Sequence, residues 1–192
     1  MKKLCTLLAL TMSFSMNAQL TAVTEGGNTG QRLSTSFASN HGDIGSNAVD
    51  LSYEDFSSTT KGATGTSSVA MGYSTTASGN YSTAMGENTI ALGQGSTAMG
   101  HNTIASGSES TALGHLTHAE AAYSTAMGNQ TSATGWASTS MGDNSISSGM
   151  VSTATGSETK ALGDFSTALG IGAKAEGERS TAIGNWPHAL GP

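Results

Sequence analysis

From residue 67 onward, apolar and polar positions alternate with a period of two, and glycine interrupts the alternation about every seven residues. The segment "YSTAMG" at 81–86 illustrates the pattern, and near copies begin at residues 95, 123, 165 and 179. A period of two is typical of β-strands, whereas a helix would lose roughly 1 kcal/mol at each interior glycine. The pattern therefore predicts short strands joined by glycine turns.

Aligned in units of 14 residues, the chain contains nine repeats without insertion or deletion, from Ser67 to Pro192. We number the positions of each repeat from 1 to 14. Position 6 is always glycine, and position 13 is glycine except at Ala121. A fixed period of this kind is the signature of a repeat architecture with one supersecondary unit per repeat. The predicted turn glycines are Gly72, Gly79, Gly86, Gly93, Gly100, Gly107, Gly114, Gly128, Gly135, Gly142, Gly149, Gly156, Gly163, Gly170, Gly177, Gly184 and Gly191.

Two strands per repeat predict an all-β solenoid, a flattened parallel β-roll in which each repeat forms one rung. Neighbouring rungs would lie about 4.8 Å apart. Position 4 is alanine except at Ser140, and position 11 is alanine except at Ser147. We expect these two small columns to face each other across a thin interior. The opposite facing stays open, because alternation does not decide which face is buried.

Position 5 is apolar except at Thr155 and falls on the face opposite to the alanines. An exposed apolar stripe of this length is rare on soluble monomers, and burying each side chain is worth about 1.5 to 3 kcal/mol. We therefore predict that chains associate along their length with cyclic symmetry. The interface candidates are Met71, Met85, Met99, Leu113, Met127, Met141, Leu169 and Ile183.

The "SxAxG" half-repeats resemble the YadA-like head repeat of the trimeric autotransporter adhesins. "SSVAMGYSTTASGN" (67–80) and "YSTAMGENTIALGQ" (81–94) carry the resemblance, which extends over 67–192 and a half-repeat at 59–66. The resemblance implies a left-handed β-roll, a homotrimer and display at a bacterial surface or outer membrane. It also implies attachment to a host matrix protein, a glycan or an abiotic surface. The stalk and membrane anchor of full-length members have no counterpart here, so we expect a fragment or a secreted head.

Composition and the first residues define the setting of the repeats. Lys2 and Lys3 precede an apolar stretch at 4–16, and Ala18 supplies a small residue before a cleavage site. This predicts a signal peptide at 1–18, export to the cell surface or the extracellular space, and no membrane span. The lone Cys5 lies inside the signal, so the mature chain has no disulfide. A net charge of −6 argues against a nucleic-acid partner.

Residues 19–58 are polar and glycine-rich, and we predict a loosely ordered tip and a capping segment before the head repeats at 59–192. Val49, Leu51 and Tyr53 alternate with polar residues and predict one strand leading into the roll. Glu54 and Asp55 are adjacent, so in a strand they point to opposite faces. They predict a solvated acidic patch rather than a catalytic pair.

Few residues point to chemistry. His101 and His115 share position 7 of adjacent repeats and are weak candidates for a metal site, although exposed turn histidines are commoner. Gly93, Gly95 and Ala98 imitate a dinucleotide-binding motif, but no helix can follow them. No nucleophile elbow or catalytic triad is present in the sequence. We predict no enzyme activity, no catalytic residues and no cofactor.

The aromatic residues beside the turns are candidates for surface contacts. They are Tyr81, Tyr123, Trp136 and Phe165. Packing between neighbouring rungs is the alternative interpretation. The function that fits best is a non-catalytic adhesive head. The alternative function is a fibre or spacer, with ice or glycan binding, whose anchoring or binding part lies in downstream sequence.

Overall fold

The computed structural model describes residues 20–33, 36 and 38–191. The predicted signal peptide at 1–18 and Cys5 lie outside these residues. Within them the chain is all-β, apart from one short 3-10 helix at Ala38–Asn40. The predicted fold class is confirmed.

The strands come in pairs that repeat along the chain. Four strands precede the repeats: β1 Leu20–Glu25, β2 Asn28–Leu33, β3 Val49–Tyr53 and β4 Gly62–Ala63. The longer strands of the nine repeats are β5 Val69–Tyr73, β7 Thr83–Glu87, β9 Thr97–His101, β11 Thr111–His115, β13 Thr125–Asn129, β15 Thr139–Asp143, β17 Thr153–Ser157, β19 Thr167–Ile171 and β21 Thr181–Asn185. The shorter strands are β6 Thr76–Ala77, β8 Ile90–Ala91, β10 Ile104–Ala105, β12 His118–Ala119, β14 Ser132–Ala133, β16 Ile146–Ser147, β18 Lys160–Ala161, β20 Lys174–Ala175 and β22 His188–Ala189.

These strands stack into two sheets that face each other along the roll. The 12-stranded sheet contains β1, β2, β3 and then the longer strands, and the 10-stranded sheet contains β4 and the shorter strands. Neighbouring strands of the repeats are parallel and in register, so that Ala84 lies beside Ala98 and Met85 beside Met99. The solenoid has about 11 turns. It therefore begins before the nine repeats recognised in the sequence, at β2, β3 and β4.

Positions 4 and 11 face the interior, as expected. Ala84 and Ala98 at position 4 and Ala91 and Ala105 at position 11 are fully buried. The serines of position 2 and the threonines of position 9 share this interior. Because methyl and hydroxyl groups bury little apolar surface, the roll depends on its backbone hydrogen bonds. These bonds are regular from rung to rung, as in the 2.9 Å bond from the Thr97 amide to the Ser110 carbonyl.

The two glycine columns serve different needs. Gly100, at position 6, has φ 125°, and a Cβ there would overlap the carbonyl oxygen of Gly114 in the next rung. Gly93, at position 13, has an ordinary φ, but its Cβ would overlap the carbonyl oxygen of Gly107. The left-handed residues of the corners are mostly not glycines: they lie at positions 1 and 8, as in Tyr81 with φ 60° and Asn88 with φ 52°. At position 13 the close approach of the rungs requires glycine, and at position 6 both that approach and the positive φ favour it.

The alanine columns are interrupted once, where Ser140 and Ser147 occupy positions 4 and 11 of the same repeat. Both side chains are buried. The Ser140 hydroxyl donates to the Ser145 carbonyl at 2.8 Å, and the Ser147 hydroxyl donates to the Ser152 carbonyl at 2.9 Å. Since both hydroxyls have partners, the interior accepts them. They divide the buried apolar residues into two groups, one on each side of this rung.

The N-terminal segment adds a hairpin to the end of the roll. β1 and β2 pair antiparallel, and β2 pairs parallel with β3, which places Arg32 beside Asp50. The predicted strand at 49–53 is confirmed as β3. Its polar residues Asp50 and Ser52 face the interior and its apolar residues face outward, with Leu51 beside Met71. The sequence did not predict the hairpin, because its strands lack an apolar alternation.

Candidate functional site

The column at position 5 lies on the outer face of the 12-stranded sheet. Met71 and Met99 are 38% and 37% exposed, and Ile183 is 65% exposed. The other five candidates, Met85, Leu113, Met127, Met141 and Leu169, are half-buried. Because each follows a buried residue at position 4, strand alternation points all eight away from the interior. The single chain therefore carries an outward apolar stripe along one wall.

A second outward feature lies at the corner formed by positions 14 and 1. Tyr123 and Trp136 meet edge to face, with ring centroids 5.7 Å apart and an angle of 76°. Both are more than half exposed. Further along the same corner lie the exposed side chains of Met150, Val151 and Phe165. We refer to these five residues as the aromatic ridge.

The ridge includes three of the four aromatic contact candidates. Tyr81 also has an exposed side chain at position 1, but Gly95 and Glu109 occupy that position in the two rungs between it and Tyr123. Val151 was not singled out from the sequence, since one valine in a repeat gives no signal until the corner is formed. The Arg179 guanidinium lies 5.9 Å from the Phe165 ring centroid and ends the ridge with a positive charge.

The position 7 side chains form a polar row on the outer face of the 12-stranded sheet. The rings of His101 and His115 are stacked 5.1 Å apart with an angle of 11°. His115 Nδ1 lies 2.8 Å from the Asn129 side-chain oxygen, and the Asn129 amide donates to Asp143 at 2.6 Å. Residues 20–33, 36 and 38–191 contain no group of three or more His, Cys, Asp or Glu residues arranged to hold a metal ion. On the other side of the stacked pair, His101 Nε2 lies 3.2 Å from the Asn102 side-chain nitrogen and 3.9 Å from Glu87 Oε1.

The threonine columns face in different directions. The threonines of position 9 are buried inside the roll; they are Thr75, Thr89, Thr103, Thr117, Thr131 and Thr159. The threonines of position 3, such as Thr97 and Thr111, lie on the outside beside the apolar column. An ice-binding surface would need ranked hydroxyl and methyl groups on one flat outer face. Only one threonine column is available there.

The acidic pair at the end of β3 does not form the predicted solvated patch. Glu54 is buried, so that expectation is wrong for this residue. Asp55 is exposed and accepts hydrogen bonds from the hydroxyls of Tyr53 at 2.7 Å and Tyr73 at 3.2 Å. The hydrogen bond to Asp55 raises the pKa of Tyr53. The two carboxylates therefore lie in different environments and do not act as a pair.

A buried group of charges joins the hairpin to the first turn of the roll. The Arg32 side chain donates to Glu25 at 2.8 Å and to Asp50 at 3.2 Å. His41 Nδ1 lies 3.3 Å from Asp50, and the Ser52 hydroxyl donates to Asp50 at 2.5 Å. Burial lowers the pKa of His41, and the negative charge of Asp50 opposes this shift. No sequence pattern indicated this group, because its members are spread over 28 residues.

Taken together, the two parallel sheets, the alanine interior and the close glycine contacts define a parallel β-roll with functional groups on its outer wall. A family profile, the YadA head domain repeat, matches residues 63–89, 91–117, 105–131, 119–149 and 161–185. These matches cover more than half of the chain, from β4 to β21. The chain belongs to the YadA head repeat family.

Family membership supports an adhesin-like surface module. YadA-like heads form trimers and adhere to surfaces. A search of curated proteins finds no match to this chain. In the part of the chain that the structure describes, no helix has the length and apolar character needed to cross a membrane.

Proposed function

We propose that this chain is the head of an exported, non-catalytic adhesin that attaches to host matrix or to other surfaces. The observation that carries the proposal is the aromatic ridge. Tyr123, Trp136 and Phe165 project from one corner of the roll, and each is 45% or more exposed. Aromatic side chains are enriched among the residues that dominate protein contacts. Several of them on one stiff edge favour attachment to an extended surface.

The proposed active form is a homotrimer at the cell surface. Its support is the outward column at position 5, which includes Met85, Met99 and Met127. Burying this column against neighbouring chains would remove a long apolar stripe from water. The aromatic ridge lies on the corner of the roll rather than on that wall, so trimer formation and adhesion use different residues. A trimer would also present three ridges, and weak contacts would then act together.

Adhesion can be tested with the mature chain, residues 19–192, on wells coated with basement-membrane extract and on bare polystyrene. In the double variant Tyr123→Ala/Trp136→Ala we expect binding to fall at least about tenfold, because both ridge anchors are removed. Phe56→Ala is the matched control, since Phe56 is an exposed aromatic residue outside the ridge. Unchanged binding by the double variant would refute the adhesive ridge.

The same experiment addresses the spacer alternative. A continuous 12-stranded sheet gives the roll the stiffness that a spacer needs. A spacer would bind neither surface above the level of an unrelated control protein. The buried position 9 threonines count against an ice-binding spacer.

A further inference from the structure

A groove with a volume of about 380 Å³ runs along the outside of the last rungs, between positions 8 and 10 of the repeats. Its lining includes Gly172 and Trp186 at position 8 and Lys160, Lys174 and His188 at position 10. None of these residues belongs to the aromatic ridge or to the apolar column of position 5. The volume falls within the usual range for small-molecule sites, roughly 300 to 1,000 Å³. The groove is therefore a separate candidate for binding.

Trp186 lies directly over the backbone of the preceding rung. A Cβ at Gly172 would overlap three carbons of the Trp186 indole, Cε3, Cδ2 and Cζ3. The left-handed backbone at position 8 does not itself require glycine, because Asn144 and Glu158 adopt φ 50° and 56° there. Gly172 is the one glycine at this position, so it makes room for the indole. Trp186 is nevertheless 66% exposed and presents an aromatic surface to the groove.

A column of basic side chains lies beside this indole. Lys160, Lys174 and His188 are neighbours in register on β18, β20 and β22. Such a column is unfavourable if its members are all charged, and it is unexpected in a chain with a net charge of −6. Glu176 accepts from Lys174 and from His188, both at 2.6 Å. Among the described residues, no carboxylate forms an ion pair with Lys160.

We propose that this groove binds an anionic saccharide chain. The Trp186 indole offers an apolar ring on which the C–H face of a sugar packs. Lys160 donates charge-assisted hydrogen bonds to a carboxylate or sulfate group. Asn144 and Glu158, which also line the groove, bond sugar hydroxyls as donor or acceptor. The open groove runs along the roll and fits a chain.

The combination of groups favours a sugar over other anions. An acidic peptide or a phosphate would use the lysines but would leave the indole without a partner. A nucleic acid would stack on the indole, but its closely spaced phosphates would approach Glu158 and Glu176. This site goes beyond the proposed adhesion through the aromatic ridge. Because the two sites share no residue, either proposal can fail while the other holds.

The test uses the mature chain at physiological salt with immobilised polygalacturonate, heparin and dextran, read by biolayer interferometry. We expect binding to at least one of the acidic polysaccharides and none to neutral dextran. Comparing polygalacturonate, which carries only carboxylates, with heparin, which also carries sulfates, identifies the anionic group that is bound. Trp186→Ala and Lys160→Gln should each weaken binding about tenfold or more. Trp186→Phe should retain most of the affinity. Gly172→Ala should weaken binding without removing a contact group, since it displaces the indole.

Two matched controls separate the groove from general effects. Phe56→Ala removes an exposed aromatic residue outside both the groove and the aromatic ridge. Arg179→Gln changes the net charge by the same amount as Lys160→Gln, and both controls should bind like the wild type. Circular dichroism checks that each variant keeps its β-structure. The proposal is overturned if both acidic polysaccharides fail to bind, or if dextran, polyglutamate or single-stranded DNA binds equally well. Wild-type affinity in Trp186→Ala or Lys160→Gln would overturn it as well.

Discussion

The Arg32 guanidinium donates from Nε to Oδ2 of Asp50 at 3.2 Å, and both side chains are buried where the hairpin meets the roll. Asp50 lies beside Ala70 in the sheet, so it occupies the place that alanine fills in the later rungs. A charge can be buried there because Arg32, Ser52 and His41 surround its carboxylate. The N-terminal turn is therefore held by polar contacts, whereas the repeats are held by rung stacking.

Removing the charge of Asp50 should destabilise this end of the roll. Breaking a buried ion pair by changing one partner costs about 3 to 5 kcal/mol, because the other charge is left uncompensated. We expect Asp50→Asn to lower the free energy of unfolding by an amount of this order in urea. Glu178→Gln is the control, since the Glu178–Arg179 pair is exposed, and it should have no measurable effect. Equal stability of Asp50→Asn and the wild type would contradict a structural role for the pair.

The buried His41 should make the same region sensitive to acid. Its folded pKa lies below the usual value because of burial, so the unfolded state binds more protons as the pH falls below about 6.5. The stability that neutral His41 provides is present above that pH and is lost as the pH falls towards the folded pKa. The groups that face it are Asp50, Arg32, Glu54 and Glu25.

This pH dependence can be measured from melting temperatures at pH 7.5 and 5.5. We expect the melting temperature of the wild type to fall further on acidification than that of His41→Gln, because glutamine does not bind a proton in this pH range. The exposed His115→Gln should behave like the wild type. If the melting temperatures of His41→Gln and the wild type fall by the same amount, the acid sensitivity belongs to other groups.

Charge placed in the position 5 column should dissociate the proposed trimer. In Met99→Asp/Met127→Asp, two carboxylates would have to be buried without partners at the interface. We expect light scattering to give a trimer mass for the wild type and a monomer mass for the variant. The control Ile90→Asp/Ile104→Asp also adds two carboxylates, on the outer face of the other sheet, and should remain trimeric. A trimeric double variant, or a monomeric wild type, would show that this column is not the interface.

The glycines of position 6 allow a comparison between backbone strain and collision. Gly100 and Gly184 both have φ 125°, but only at Gly100 would a Cβ meet the next rung. Gly184→Ala should cost about 1 to 3 kcal/mol for the strained backbone alone. Gly100→Ala should lower the free energy of unfolding in urea clearly more than Gly184→Ala, because neighbouring rungs must also move apart. If both variants lose the same free energy of unfolding, backbone strain alone accounts for glycine at this position.

The sequence predicted the rungs because one 14-residue pattern recurs nine times without a gap. Period-two alternation, glycine spacing and small residues at positions 4 and 11 all pointed to a thin parallel roll. The strand at 49–53 was found by the same alternation. Which side of this strand is turned to the interior could not be predicted. Alternation alone would place the apolar residues inside, but Asp50 and Ser52 are the buried residues.

The surface features depended on contacts that cross rungs and corners. Trp136 and Tyr123 stand 13 residues apart in one repeat, but the roll brings their rings to the same corner. Gly172 and Trp186 look like ordinary repeat variation until one is placed under the other. The charges around Asp50 come from separate segments with no periodic signal.

The sequence by itself thus determined the repeat, the strand period and the glycine positions, because these depend on local spacing. Tertiary structure alone decided which face is inside and which side chains meet on the wall or in the buried charge group. Alternation separates the residues of a strand onto two faces, but which face is buried depends on the side chains of the opposite sheet and of the next rung that pack against it.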